Sequence, residues 1–223
     1  MSNMMAQTKQ AKQPWWKDPI TLFGLFLFVF LIFVDQLTKA VADAYFDSMD
    51  EYVVVIEGWI NLCIRYNRGM AYSMGNNAPM WAKIGVIVLT GVLMAAFFVV
   101  FFKLDSRRTW MKLALIVVIA GGVGNLIDRV YYQVWDPTTV GGVRDMVDLS
   151  AFGFAVCNFA DFFICGGAVA LVLGLLFFDT DAMFPVGKYV ELAKEAEEAE
   201  ALKKAKKAAQ RPGNPIEYEK EQD

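Results

Sequence analysis

Long apolar runs, broken at recurring places by short polar clusters, dominate this chain. Four stand out, at residues 19–34, 84–102, 113–127 and 162–178. A helix that crosses a bilayer needs about 20 mostly apolar residues. The first, third and fourth runs reach that length only by including polar residues at their ends. The first continues past Asp35 and Lys39. The third begins near Thr109 and ends near Asp128. The fourth begins near Asn158, with Asp161 in its first turn. One such run is compatible with a buried core helix; four in 223 residues predict a membrane protein. Ala42-Asp43-Ala44 loosely resembles a signal-peptide cleavage site. The run before it, however, is longer than a signal core and is interrupted by Asp35, Gln36 and Lys39, so it reads as a retained span.

The segments between the runs add detail. Tyr52-Val53-Val54-Val55-Ile56 is β-branched and short, 59–66 is also strand-like, and Glu57-Gly58 suits a turn between them. The spacing predicts a hairpin lying on the outer membrane surface. Asn76-Asn77-Ala78-Pro79 reads as the cap and first turn of the second span. Residues 190–210, rich in Ala, Glu, Lys and Leu, read as a surface helix with Glu200 and Lys204 at i, i+4. Residues 211–223 read as disordered. The expected fold is an all-α membrane protein of four transmembrane helices, with a small extramembrane β-hairpin or cradle on its outer face. Residues 1–18 form an N-terminal segment, 19–180 the transmembrane domain and 181–223 a charged tail.

Composition narrows the chemistry. Apolar residues make up 57% of the chain, net charge is −3, and histidine is absent. Without histidine there is no Ser-His-Asp or Cys-His nucleophile, no HExxH zinc site and no histidine-ligated haem. Cys63, Cys157 and Cys165 have no CxxC spacing. Lys and Arg set the orientation. One side collects Lys9, Lys12, Lys17, Lys103, Arg107, Arg108, Lys112 and the basic tail; the other holds Lys39, Arg65, Arg68, Lys83, Arg129 and Arg144. Both termini are therefore expected in the cytoplasm, with loops 43–79 and 131–157 outside. Trp15, Trp16, Trp81 and Trp110 fall near span ends, where an aromatic belt sits.

Ionisable residues at membrane depth are functional candidates by default. Here they gather at the outer ends of the spans: Asp35 and Lys39; Asn125, Asp128 and Arg129; Asp145 and Asp148 in the following loop; Asn158 and Asp161. Asp35 and Lys39 are an i, i+4 pair with the acid first. Gly121, Asn125 and Asp128 share a helix face, and Gly121, Gly122 and Gly124 let another backbone approach. Asn158 and Asp161 are spaced like a helix cap and its third residue, which is an alternative to a site role. Either Asp145 or Asp148 is placed to pair with Asp161. Two facing carboxylates cannot both ionise cheaply, so they share a proton. The ionised member can deprotonate water while the protonated one polarises a peptide carbonyl. An ion-coupled transporter also uses intramembrane acids, but the inner halves of 84–102 and 113–127 carry no charge to continue a path. A binding scaffold without catalysis is the other alternative.

Five segments carry a resemblance: Asp35-Gln36-Leu37-Thr38-Lys39, Asn67-Arg68-Gly69-Met70-Ala71-Tyr72, Gly121-Gly122-Val123-Gly124-Asn125-Leu126-Ile127-Asp128-Arg129, Val143-Arg144-Asp145 and Asn158-Phe159-Ala160-Asp161. In this order and on this topology, residues 20–180 resemble the bacterial signal peptidase II family, the lipoprotein signal peptidases. The resemblance implies an aspartic endopeptidase of the bacterial cytoplasmic (inner) membrane. It would cleave the signal peptide of a prolipoprotein before a diacylglycerylated cysteine, with its active site at the outer face. It implies Asp145 and Asp161 as the catalytic pair. Asp35, Lys39, Asn67, Gly69, Gly121, Gly124, Asn125, Asp128, Arg129 and Asn158 would shape or support the site. Membrane lipids and the inhibitor globomycin are implied partners; no metal, cofactor or nucleic acid is. Tyr72 stands where the family usually has Phe. The stretch between Arg129 and Asp145 is longer than typical, and the tail beyond Phe184 lies outside the resemblance.

Overall fold

A computed structural model describes residues 15–69, 78–138, 141–179 and 182–209. The expected cap at Asn76 and Asn77, the Met70-Ala71-Tyr72 part of the second motif and the tail 211–223 lie outside the described residues. The helix α1 (Pro19–Tyr45) starts where proline has no N–H to lose, and the Asp18 side chain accepts the backbone N–H groups of Ile20 and Thr21. Next come the strands β1 (Tyr52–Ile56) and β2 (Ile60–Asn67), the helices α2 (Met80–Lys103) and α3 (Thr109–Tyr131), the strand β3 (Val143–Asp148) and the helix α4 (Phe159–Phe177). All four of these helices are long and apolar enough to cross a membrane. The protein is therefore a membrane protein with the four expected spans. Each helix extends past its apolar run into the flanking polar residues.

Burial follows from a hydrocarbon solvent. On α1, Phe23, Phe26, Phe30 and Phe33 form an exposed stripe at helical spacing. In water such a stripe would need a cover; in lipid it is already solvated. The central helix is α3, buried from Lys112 to Asp128 over most of one face. Phe101 of α2 packs with Leu115, Ile116 and Ile119 of α3, and Leu25, Leu27 and Phe28 of α1 close around them. Two glycines set helix spacing. A Cβ on Gly121 would meet the Ala160 carbonyl and the Ile164 backbone of α4. One on Gly124 would lie 2.5 Å from Asp35 Oδ2. α4 and α1 approach α3 closely only because these positions are bare.

Outside the spans the expected hairpin is present, with β1 paired antiparallel to β2, and Gly58 takes a positive φ of 74° in its turn. The sheet has a third strand that the sequence reading treated as loop: β3 pairs antiparallel with β2, giving the order β1-β2-β3. Ile64 and Met146 pack on Ala42 and Phe46, seating the sheet on the last turns of α1. From Leu173 onward a second compact unit contains the end of α4 and the helix α5 (Lys188–Ala209). Within it, the N–H groups of Met183, Phe184 and Val186 return to the carbonyls of Leu175, Leu176 and Phe177.

Candidate active site

The polar residues at one end of α1, α3 and α4 meet beneath the sheet in two joined networks. The first begins with the local pair in α1. Lys39 Nζ donates to Asp35 Oδ2 at 2.8 Å, and both side chains are fully buried. The pair also reaches beyond its own helix: Lys39 donates to Asn125 Oδ1 at 3.1 Å and lies 3.6 Å from Asp128 Oδ2. Asp35 Oδ1 accepts the Ala160 N–H in the first turn of α4 at 3.0 Å, where a helix N-terminus favours a negative charge. Asp128 is held by Arg144 through its backbone N–H at 3.0 Å, Nε at 3.3 Å and Nη2 at 2.9 Å. Asp35, Lys39, Asp128 and Arg144 thus form a neutral buried quartet, in which no charge lacks a partner.

Asn125 links this quartet to the second network. Its Nδ2 donates to Asp161 Oδ1 at 2.8 Å. Asp161 and Asn158 form a reciprocal cap: the Asn158 N–H donates to Asp161 Oδ2 at 3.1 Å, and the Asp161 N–H donates to Asn158 Oδ1 at 3.1 Å. Asn158 therefore caps α4, as its spacing suggested, and its Nδ2 also donates to Asp145 Oδ1 at 2.6 Å. One asparagine binds both carboxylates. Asn67 also donates to Asp145 and accepts the Gly69 N–H at 2.9 Å. Arg129 donates to the carbonyls of Asn125 and Gly69 at 3.3 and 3.4 Å, within electrostatic reach of Asp161 and Asp145.

Strand geometry separates Asp145 from Asp148. Side chains alternate along a strand, so residues three apart point to opposite faces. Asp145 is buried and faces Asn158. Asp148 accepts the Ser150 N–H at 2.9 Å and the Asn61 amide at 3.4 Å. Burial, reinforced by the charge of Asp161, pushes the Asp145 carboxyl up to about 7, despite hydrogen bonds from Asn158 and Asn67. The Ser150 backbone hydrogen bond chiefly holds Asp148 below the usual carboxylate range. Cys157 donates its thiol to the Val147 carbonyl. Burial and the two acids push that thiol up to about 12, so it offers no thiolate near neutral pH.

Every expected site residue with a polar side chain lies in these networks. Gly121 and Gly124 provide the close approaches beside them, and Gly69 supplies the N–H and carbonyl just described. Two contributors escaped the sequence reading. Gln36 donates to Asp35 Oδ2 and the Gly124 carbonyl, each at 3.1 Å. Arg144 was read as a charge of the outer face and as part of a matching segment, but given no site role. Reading 143–148 as a strand would have put it opposite Asp145, toward the helices.

Residues 27–177 match the profile of the family described as signal peptidase (SPase) II. This chain belongs to that family. The matched segment of the peptidase starts inside α1 and ends with α4, so it includes every residue of both networks. Its similarity to the lipoprotein signal peptidase of Pseudomonas fluorescens is 31% identity over 155 residues, 68% of this chain and 85% of that one. With the lipoprotein signal peptidase of Fusobacterium nucleatum it is 29% over 159 residues, 71% and 89% of the two chains. Two solved bacterial membrane enzymes, determined by the in meso method at 2.3 and 1.9 Å, superpose with a TM-score of 0.57 each. Their identities are 27% and 26%, covering 69% of this chain and 87% and 92% of theirs.

Proposed function

We propose that this peptidase removes the signal peptides of diacylglycerylated prolipoproteins, cleaving before the lipid-modified cysteine by an aspartic mechanism on Asp145 and Asp161. The observation that carries the reading is that Asn158 binds both carboxylates, its backbone N–H donating to Asp161 and its side-chain amide to Asp145, in a chain of the signal peptidase II family. Asp161 accepts two N–H donors, from Asn125 and from the Asn158 backbone. Asp145, whose burial raises its affinity for a proton, holds the proton of the pair. Asp161 then takes a proton from a water lying between them, and the hydroxide equivalent attacks the scissile carbonyl. Asp145 gives its proton to the carbonyl oxygen. The proton on Asp161 passes to the leaving amine when the tetrahedral intermediate collapses, and a hydroxyl proton of the intermediate returns to Asp145, restoring the starting state.

Asn67, Asn125 and Asn158 orient the two acids. Arg129 braces the Gly69 turn, and Asp35, Lys39 and Asp128 form the charged floor. The substrate approaches laterally, its diacylglyceryl chains remaining among the membrane lipids, and globomycin competes for the same cleft. In this reading the enzyme sits in the cytoplasmic membrane, with both termini in the cytoplasm and the dyad at the outer face. Residues 19–180 are the peptidase domain, flanked by cytoplasmic segments 1–18 and 181–223.

The test uses purified full-length protein and a diacylglycerylated prolipoprotein, scored for cleavage and for globomycin sensitivity. Asp145→Asn and Asp161→Asn each abolish cleavage while inserting normally. Asp148→Asn stays within about threefold of wild type, because Asp148 is only half-buried and lies on the opposite face of β3 from Asp145. Full activity in either dyad variant overturns the mechanism.

A further inference from the structure

We propose that Arg144 is a positioning residue for catalysis, which indexes Asp145 to the same helix that holds Asp161. The proposal rests on the dyad reading above and adds to it how the two acids are kept at a working separation.

The two acids come from separate elements, β3 and α4, and α3 holds both. Asn125 fixes Asp161 directly. Three residues on, along the same face, Asp128 takes three hydrogen bonds from Arg144, the neighbour of Asp145 in β3. The spacing of Asn125 and Asp128 on a rigid helix therefore holds the two acids from below, alongside the direct Asn158 link and the Val147–Cys157 backbone bridge.

The sheet alone does not do this. The pairing of β2 with β3 is irregular between Leu62 and Arg65, next to the Arg65–Asp145 register position. A bulge disrupts the ladder locally and bends the strand. Arg144 adds a side-chain tether beside it. Its side chain points away from the dyad and is buried. Besides Asp128, it donates to Gln36 Oε1 at 3.1 Å and lies over the Tyr132 ring at 5.4 Å. One residue thus ties β3 to α1, to α3 and to the turn after α3. A planar guanidinium makes this fork; an ammonium provides one point of contact.

The experiment measures kcat and KM of purified full-length Arg144→Lys and Arg144→Met on a diacylglycerylated lipobox peptide in proteoliposomes, normalised to folded enzyme. Misplacing a catalytic group by about 1 Å costs on the order of 10²-fold. Arg144→Met is expected to lose kcat by about that factor with KM within about twofold, and Arg144→Lys to fall between it and wild type. Arg144→Met also strands a buried acid, so a second variant separates folding from positioning. The double variant Arg144→Met/Asp128→Asn removes both charges. It is expected to recover folded yield but not kcat.

Three results overturn the proposal: unchanged kcat per folded Arg144→Met enzyme, a loss confined to KM, or recovery of kcat by the double variant. A wild-type enzyme that fails to cleave overturns the peptidase reading as well. An active wild type with an indifferent Arg144→Met overturns only this inference.

Discussion

Asp145 and Asp148 differ by three positions and by the face of the strand they occupy, and this separates their chemistry. Asp148 keeps its charge near neutral pH. Asp145, pushed up to about 7 first by burial and then by Asp161, titrates in the working range. The sign follows directly. The proposed reaction needs a proton on Asp145, so kcat should fall about tenfold per unit above about pH 7. Stability moves the same way. The folded carboxyl binds its proton more tightly than the unfolded one, whose ordinary value is 3.8. Its contribution is full below that value, declines as pH rises, and is gone above about 7. A pH profile of single-turnover cleavage checks the first expectation. An alkaline limb that starts below pH 5 would assign the proton elsewhere. Helical spacing made Asp35–Lys39 and Gly121–Asn125–Asp128 legible from sequence. The choice between Asp145 and Asp148 was not legible in the residues themselves, because it depends on β3 being extended. The resemblance supplied Asp145.

At the scale of elements, α3 is an axis with a buried ion pair near each end. Far from the dyad, Lys112 donates to Asp18 at 3.0 Å and Thr21 at 2.6 Å, with Ser106 also bound to Asp18. Hydrogen bonds from Ser106, Thr21 and Lys112 outweigh burial and hold the Asp18 carboxyl below the usual range. This second pair fastens the start of α1 to α3 and to the α2–α3 turn, yet Asp18 lies 17 residues before Asp35, about 25 Å along a helix. Removing one partner of a buried pair costs about 3–5 kcal/mol. Lys112→Met should therefore lower the thermal midpoint in detergent clearly, while kcat of the folded fraction stays within about twofold. A large loss of kcat at unchanged stability would mean that α1 transmits the inner pair to the site. Sequence analysis located all four spans, because their apolar runs are unambiguous, and the β1–β2 hairpin, because its turn is short. It missed β3. A six-residue strand carrying three charges in Val-Arg-Asp-Met-Val-Asp lacks a clean alternation, and its partner β2 lies more than 70 residues earlier.

For the whole molecule, orientation decides whether the dyad faces the compartment where a lipid-modified precursor is presented. An even number of spans is expected to put both chain ends on one side. The polar networks, the sheet and Trp81 cluster at the other, while Trp15, Trp16 and Trp110 mark the near end. Basic residues are denser on the side of the termini, which is the retained side under the rule that governs short loops. The charged floor barely counters this bias, since Asp35, Lys39, Asp128 and Arg144 sum to zero. A green fluorescent protein fused after Asp223 should fluoresce, and alkaline phosphatase at the same position should be inactive. In the 43–79 loop, phosphatase should be active when fused after Met49, ahead of β1, so that the sheet is not interrupted. The opposite pair of results would place Asp145 and Asp161 in the cytoplasm and overturn the outer-face assignment. A truncation tests the tail. The family match ends at residue 177, so deleting 188–223 should leave cleavage within about twofold of the full chain. A larger loss would mean that α5 contributes to the peptidase and is not an appendage.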